Sequence, residues 1–397
     1  MDDLRPGLGT LCTHAGREHL REQGAHVPLI DLASTYPMLD PDATERSYDA
    51  LAAGAPSAEE PVYARLHNPT VAAYEAAVAR LEGADDAVTF SSGMAALTAV
   101  LLAVRRTHSH VVGIRPLYGG TDHVLSETLL GLDVTWVDQA EVAGAITPRT
   151  GLVVCETPQN PTLGQVDIAS VVAAAGDVPV LVDNTLATPI LQQPLRHGAA
   201  FVVHSATKAL GGHGDVLAGV VAARGDRARS VRQIRALTGA VLHPLAAYLL
   251  HRSLQTLELR VREAQRNAEL IVERLVADPR VERVCYPGLD GSGLLGTQLA
   301  GGGSLLAFAP RGGAEVARRL LRHVRLITPA VSLGGVDSLI QQPAALTHRY
   351  VDAAARAAYG FDASLLRLSV GIESAADLLD DLDRALTAAT REPALAA

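Results

Sequence analysis

Between residues 61 and 225 the chain alternates short runs of consecutive apolar residues with stretches whose apolar positions recur at helical spacing. The runs at 87–90, 111–114, 134–137, 152–155, 180–182 and 201–203 predict strands. Continuously apolar strands are buried on both faces, which predicts a largely parallel sheet with helices on both sides, an α/β fold. Val71, Tyr74, Val78 and Leu81 share one helical face, with Thr70 placed to cap the helix and Gly83 to end it. A second helix is predicted over 93–104. Residues 244–276 read as one long helical stretch, and strands at 304–308 and 366–370 predict a smaller α/β lobe beyond it. In the first sixty residues Pro28, Pro37, Pro41 and Pro56 interrupt any long helix. That segment reads as an arm that packs on something, another subunit among the candidates. The predicted division is an arm over 1–60, a large domain over 61–243 and a C-terminal domain over 244–397.

Composition narrows the function classes. A chain of 397 residues with 48% hydrophobic and 19% charged residues is globular. Its longest nearly uninterrupted apolar run, 94–104, is too short to span a bilayer, and Met-Asp-Asp-Leu-Arg at the N-terminus lacks the layout of a signal peptide. Cys12, Cys155 and Cys285 are odd in number and widely spaced, which suits a reducing cytoplasm. A net charge of −9 without a basic block argues against a nucleic-acid partner. The fourteen histidines include no HExxH pair, so no metal is expected.

The most informative single residue is Lys208, the only lysine in the chain. Arginine can serve most salt-bridge and surface roles but supplies no titratable primary amine, and such an amine can condense with a carbonyl to form a Schiff base. Lys208 follows the apolar run Phe201-Val-Val-His-Ser-Ala-Thr and precedes Gly211-Gly-His-Gly214, the setting expected at the mouth of an α/β site. Asp183 ends the buried strand Pro179-Val-Leu-Val-Asp183. An aspartate there can be a bonded structural carboxylate or the partner of a buried cation. An ionised aspartate beside a pyridine nitrogen keeps that ring protonated and electron-accepting. Ser92, Gly93 and Met94 open the second predicted helix, where unpaired N–H groups favour a phosphate.

These pieces fall in an order that resembles the Cys/Met-metabolism family of pyridoxal-phosphate enzymes over nearly the whole chain. The resemblance lies in Val62-Tyr-Ala-Arg-Leu-His-Asn-Pro-Thr70, Ser91-Ser-Gly-Met-Ala95, Pro116-Leu-Tyr-Gly-Gly-Thr121 and Glu156-Thr-Pro-Gln-Asn-Pro161. It continues through Val182-Asp-Asn-Thr185, His204-Ser-Ala-Thr-Lys208, Ser332-Leu-Gly-Gly335 and Leu366-Arg-Leu-Ser-Val-Gly-Ile-Glu373. It implies an aspartate-aminotransferase-like (fold type I) architecture and pyridoxal 5'-phosphate as cofactor. By the same resemblance Lys208 holds the cofactor covalently and moves protons, while Asp183 partners the ring nitrogen. Ser92, Gly93, Met94, Ser205 and Thr207 surround the phosphate. Tyr63 and Arg65 match a pair that reaches a neighbouring subunit's phosphate, so the site is expected to be shared across a dimer, within a homotetramer. Tyr118 is expected to stack on the ring and assist proton transfer, Asn160 to bond the cofactor's phenolic oxygen, and Ser332 and Arg367 to hold the substrate carboxylate.

The group includes methionine and cystathionine γ-lyases, cystathionine γ-synthases and O-acylhomoserine sulfhydrylases, and the motifs above are common to all. The segment Leu237-Thr-Gly-Ala-Val-Leu-His-Pro244 and the chain length lean towards a lyase acting on L-methionine or L-cystathionine. Gly120, Arg235-Ala236 and Asp337 depart from the patterns of those lyases. A γ-replacement transferase is the alternative; a scaffold without turnover and an aminotransferase are less well matched.

Overall fold

The computed structural model describes residues 6–127, 129–349 and 351–391. The N-terminal pentapeptide read above for targeting therefore lies outside the described residues, as do the last residues of the C-terminal segment.

Seven strands form the first sheet: β1 (Asp86–Phe90), β2 (His110–Ile114), β3 (Asp133–Val137), β4 (Thr150–Glu156), β5 (Val180–Asp183), β6 (Phe201–His204) and β7 (Gly219–Ala223). Their order is β1-β7-β6-β5-β4-β2-β3. Every neighbouring pair is parallel except those made by β7, which runs antiparallel to both β1 and β6. All residues of β2, β4 and β7 are buried, as apolar runs in a doubly covered sheet require. Successive side chains enter opposite layers. Val202 joins the core under the helices Pro69–Glu82 and Pro244–Leu254, whereas Val203 joins the core under Gly93–Arg105.

The first helix begins one residue before the predicted cap. Asn68, not Thr70, accepts the Val71 N–H (3.1 Å), Pro69 occupies the first turn, and Gly83 closes the helix at φ 66°. Thr70 instead ties down the arm, accepting from Asp31 N–H (2.8 Å) and donating to the Leu29 carbonyl (3.1 Å). Within the arm Pro41 starts a helix, Pro41–Ala52, whose cap is the Asp40 carboxylate; the missing proline N–H costs nothing at a first turn. Leu29, Leu32, Met38 and Leu39 of the arm are exposed.

The predicted helical stretch over 244–276 is two helices, Pro244–Leu254 and Leu257–Val276, broken at Gln255 and Thr256. The first packs with Pro69–Glu82, and Leu257 and Val261 share that core. Beyond them β8 (Val281–Cys285), β9 (Leu305–Pro310), β10 (Thr328–Pro329), β11 (Leu339–Gln341) and β12 (Leu366–Ser369) form a second sheet in the order β10-β11-β12-β9-β8. Among the described residues no helix is long and apolar enough to cross a membrane.

Candidate active site

The first sheet brings the polar ends of β4, β5 and β6 together. Glu156 and Asp183 stand in register across β4 and β5, and β6 runs directly into Ser205 and Lys208. On the other side of β7, β1 ends at Phe90 and the helix Gly93–Arg105 starts. Its cap is the Ser92 hydroxyl, which accepts from Ala95 N–H at 3.1 Å. The N–H groups of Gly93 and Met94 have no earlier carbonyl within the helix to bond. A Cβ on Gly93 would lie 2.9 Å from Ser205 Cβ and 3.1 Å from Ser205 Oγ, so only glycine lets that hydroxyl sit at the helix start. Ser205 is placed by its own N–H, which donates to Thr185 Oγ1 at 2.9 Å. The Thr207 hydroxyl exchanges bonds with Ala218, donating to its carbonyl at 3.2 Å and accepting its N–H at 2.9 Å.

Asp183 Oδ1 accepts from both the N–H and the hydroxyl of Thr185, at 3.0 and 2.5 Å. Among the described residues Oδ2 has no hydrogen-bond partner. Burial raises the Asp183 pKa against the opposing pull of Thr185, so a cation placed at Oδ2 would favour the ionised form.

Lys208 Nζ donates to Ser332 Oγ at 2.7 Å. Burial, and then the charge of Arg367, lowers this amine to about 8. Ser332 is one of three described non-glycine residues with positive φ, at 90°, a conformation that stores backbone strain at functional positions. It is held there by its surroundings. Gly334 N–H donates to Ser369 Oγ (2.8 Å), Val336 N–H donates to the Gly212 carbonyl (2.9 Å), and Glu373 accepts from Ser338 N–H (2.6 Å). The same serine offers its carbonyl to Arg367 Nη2 at 2.8 Å. Ser332 thus links the amine on the first sheet to the guanidinium on the second.

Arg367 is 2% exposed. Nη1 donates to Asn160 Oδ1 at 3.0 Å. Gln341, its cross-strand neighbour, accepts from Nη2 at 2.6 Å with the amide turned oxygen-first. All of these acceptors are neutral. Among the described residues Arg367 has no carboxylate at ion-pair distance, and burial lowers its pKa to about 10. A buried guanidinium without a counter-ion is costly, and a ligand carboxylate would relieve that cost.

Tyr118 caps the helix Gly119–Ser126 and is 39% exposed. Its N–H donates to Glu156 Oε2 at 2.6 Å. His348, 1% exposed, donates from Nε2 to the Asn160 carbonyl at 3.1 Å, and burial lowers its pKa to about 4, so it sits neutral. Lys208, Ser332, Arg367, Asn160, Asp183, Tyr118 and the Ser92–Ser205 cradle therefore line one region. Tyr63 and Arg65 do not join it through any hydrogen bond or ion pair among the described residues. Arg65 lies 5.5 Å over the Tyr63 ring and donates to the Ala236 carbonyl at 2.5 Å. Arg235 is turned inward, bonded to Glu75 Oε1 at 2.5 Å, and so braces the helix Arg227–Thr238. Glu156, Gln341 and His348 were given no role from the sequence. Glu156 heads the segment Glu156-Thr-Pro-Gln-Asn-Pro161; the other two carry no signal in their residue type or spacing.

The geometry fits pyridoxal phosphate. A glycine-gated helix start beside Ser205 suits a phosphate, an unpartnered carboxylate oxygen at the end of β5 suits a protonated ring nitrogen, and a lysine of depressed pKa follows Ser205 after β6. Among the described residues no group of three or more His, Cys, Asp or Glu side chains is arranged as metal ligands.

Residues 9–387 match the family model described as Cys/Met metabolism PLP-dependent enzyme. The chain is 54% identical over 394 residues to an L-methionine gamma-lyase of Brevibacterium sandarakinum, covering 98% of this chain and 99% of that one. It is 56% identical over 382 residues to an L-methionine gamma-lyase of Streptomyces avermitilis, covering 96% and 89%. A solved cystathionine gamma synthase of Xanthomonas oryzae pv. oryzae, in complex with cystathionine, superposes with a TM-score of 0.90 at 35% identity, covering 98% and 99%.

Proposed function

The chain belongs to the Cys/Met-metabolism family of pyridoxal-phosphate-dependent enzymes, and on that premise we propose that it is a carbon–sulfur γ-lyase acting on L-methionine. The products are 2-oxobutyrate, ammonia and methanethiol. The observation that carries the reading is the buried Arg367, with no carboxylate at ion-pair distance among the described residues and joined through Ser332 to the Lys208 amine. An amino acid whose α-carboxylate rests on Arg367 presents its α-carbon to a base. The choice of methionine is supported by two relatives of that activity sharing more than half the residues.

When bound, pyridoxal phosphate supplies an electron sink conjugated to the substrate's α-carbon. Gly93, Met94, Ser205 and Thr207 would hold the phosphate, Thr207 once its hydroxyl turns from Ala218. Asp183 would pair with the ring nitrogen through Oδ2, and Asn160, its Oδ1 taken by Arg367, would have Nδ2 left to donate. Arg367 fixes the α-carboxylate with a planar fork that an ammonium cannot match. Lys208 Nζ, steered by Ser332 Oγ, takes the proton from the α-carbon and, once it has handed that proton on and is neutral again, takes one from the β-carbon. The Tyr118 side chain would lie against the bound ring, its phenol placed to protonate the departing sulfur.

The exposed arm residues and the position of Tyr63 and Arg65 outside their own cluster support a site completed by a second subunit, within a homotetramer. Three domains, 1–60, 61–243 and 244–397, remain the proposed division, with 244–261 packed on the first sheet. The unbridged Cys12, Cys155 and Cys285 support a cytoplasmic location, with neither nucleic acid nor membrane as partner. Mixing Arg65→Ala with Lys208→Ala subunits is expected to restore activity in hybrid dimers, because each hybrid holds one unaltered site. Verified hybrids without restored activity would refute the shared site.

Burial favours the neutral amine, so capture of cofactor by the cofactor-free protein is expected to quicken with pH and level off above about 8. An unperturbed lysine would keep gaining about tenfold per unit towards pH ~10.4. Stopped-flow absorbance at a series of pH values separates the two. The activity itself is tested by 2-oxobutyrate release from L-methionine and from L-cystathionine without added thiol. Release from methionine at the higher kcat/KM supports the proposal. Release from neither, with product formed only when an O-acylhomoserine meets a thiol, would establish the γ-replacement reading that the likeness to the synthase favours.

A further inference from the structure

We infer that Glu156 is a positioning residue for Tyr118, fixing the aromatic ring through its backbone. This rests on the proposed role of Tyr118. Glu156 closes β4, is 2% exposed, and accepts the Tyr118 N–H at 2.6 Å. The segment that follows Glu156 carries Asn160. Asn160 in turn holds Arg367 at 3.0 Å. One buried carboxylate thereby ties the turn that carries the ring to the segment that carries the amide, and through the amide to the guanidinium on β12.

The ring needs such an anchor. It is 39% exposed, and its hydroxyl has no hydrogen bond among the described residues. It is followed by Gly119 and Gly120, the two residues that leave a backbone least constrained. A Cβ on Gly119 would strike the Thr347 carbonyl, and one on Gly120 would come within 2.6 Å of Tyr118 Cε1 and 3.2 Å of Met94 Sδ. The glycines are therefore required by close approach, and stiffening this turn with larger residues is barred. The hydrogen bond to Glu156 supplies the restraint instead.

It does so in an unfavourable place for a carboxylate. Glu156 stands beside Asp183, and burial, then the charge of Asp183, raises its pKa well above the usual range. The Tyr118 N–H, and then the charge of Arg367, oppose that rise. A glutamine could accept the Tyr118 N–H at the same distance without the buried charge, so the acceptor oxygen, not the charge, is what the ring requires.

Glu156→Ala, Glu156→Gln and Tyr118→Ala, alone and combined, test this in the cofactor-loaded enzyme. The visible circular dichroism of bound pyridoxal phosphate reports ring placement independently of turnover. In Glu156→Ala that band is expected to shrink, and kcat to fall by about 100-fold, the scale of a ~1 Å misplacement. KM should move by no more than about threefold, because Arg367 still binds the carboxylate. Glu156→Gln should recover the band and most of kcat. In a Tyr118→Ala background the Glu156→Ala change should cost less than about twofold further, the signature of two residues acting as one. If Glu156→Ala does not fold, Glu156→Asp, one methylene too short, should show the same losses. Fully additive losses, an unchanged band in Glu156→Ala, or a Glu156→Gln as damaged as Glu156→Ala would each overturn the inference. Should no sulfur amino acid be turned over at all, the band alone still decides, so failure of the lyase reading and failure of the positioning role are separable.

Discussion

Lys208→Arg is expected to leave a folded protein that holds no cofactor covalently and retains less than about one part in a thousand of the wild-type kcat. Removing a positioned proton-transfer group costs roughly 10²–10⁴-fold by itself, and here covalent anchoring of the cofactor is lost with it. The fold should survive because Lys208 makes one side-chain hydrogen bond, to Ser332, and arginine can reach the same oxygen. No other lysine can substitute, since the chain has none. Absorbance of the purified protein with pyridoxal phosphate checks the first claim and 2-oxobutyrate release the second. A yellow, active Lys208→Arg protein would contradict both.

Arg367→Gln is expected to act on substrate rather than on cofactor. Truncating one partner of a buried charge pair costs about 2–5 kcal/mol, so kcat/KM for methionine should drop by roughly 10²–10³-fold, most of it in KM. The cofactor spectrum should stay unchanged, because Lys208 and Asp183 are untouched. Thermal stability should shift by no more than about 3 °C, the scale of a ~1 kcal/mol change. The wild-type guanidinium is bonded to three neutral acceptors, with no carboxylate at ion-pair distance among the described residues, so its removal ends a desolvation cost as well as those hydrogen bonds. Steady-state kinetics, a spectrum and a melting curve together distinguish this from a general loss of structure, which would lower all three.

Much of this architecture was legible because parallel strands carry their signal locally. Six apolar runs mark β1 to β6, and burial on both faces leaves no room for alternation in any of them but the edge strand β3. β7 escaped notice: Gly219-Val-Val-Ala-Ala223 follows a glycine-rich turn, and its antiparallel insertion between β1 and β6 is a property of the sheet rather than of the run. The helix cap at Asn68 was misassigned to Thr70 because both residue types cap helices, and only packing reveals that Thr70 is engaged with Leu29 and Asp31. The break at Gln255 and Thr256 leaves helical spacing intact on both sides, so periodicity alone reads it as one helix.

The site divides in the same way. Lys208 and Asp183 announced themselves by residue type at strand ends, and the motif order supplied the rest. Ser332 was expected near the substrate carboxylate, but its left-handed backbone and its bridge between Lys208 and Arg367 depend on contacts from the 208–212 turn and β12. Gln341 and His348 are ordinary in sequence and matter only because β11 lies against β12 and the 343–348 turn against Asn160. Such partners are set by tertiary contact, which no local pattern encodes.

The most direct test of the account is to reduce the pyridoxal-phosphate-loaded wild-type protein with borohydride and map the phosphopyridoxyl group by peptide mass spectrometry. One label per chain on the peptide containing Lys208 is the predicted result. Label on the N-terminal amine alone, or none on a protein that still releases 2-oxobutyrate from methionine, would contradict it.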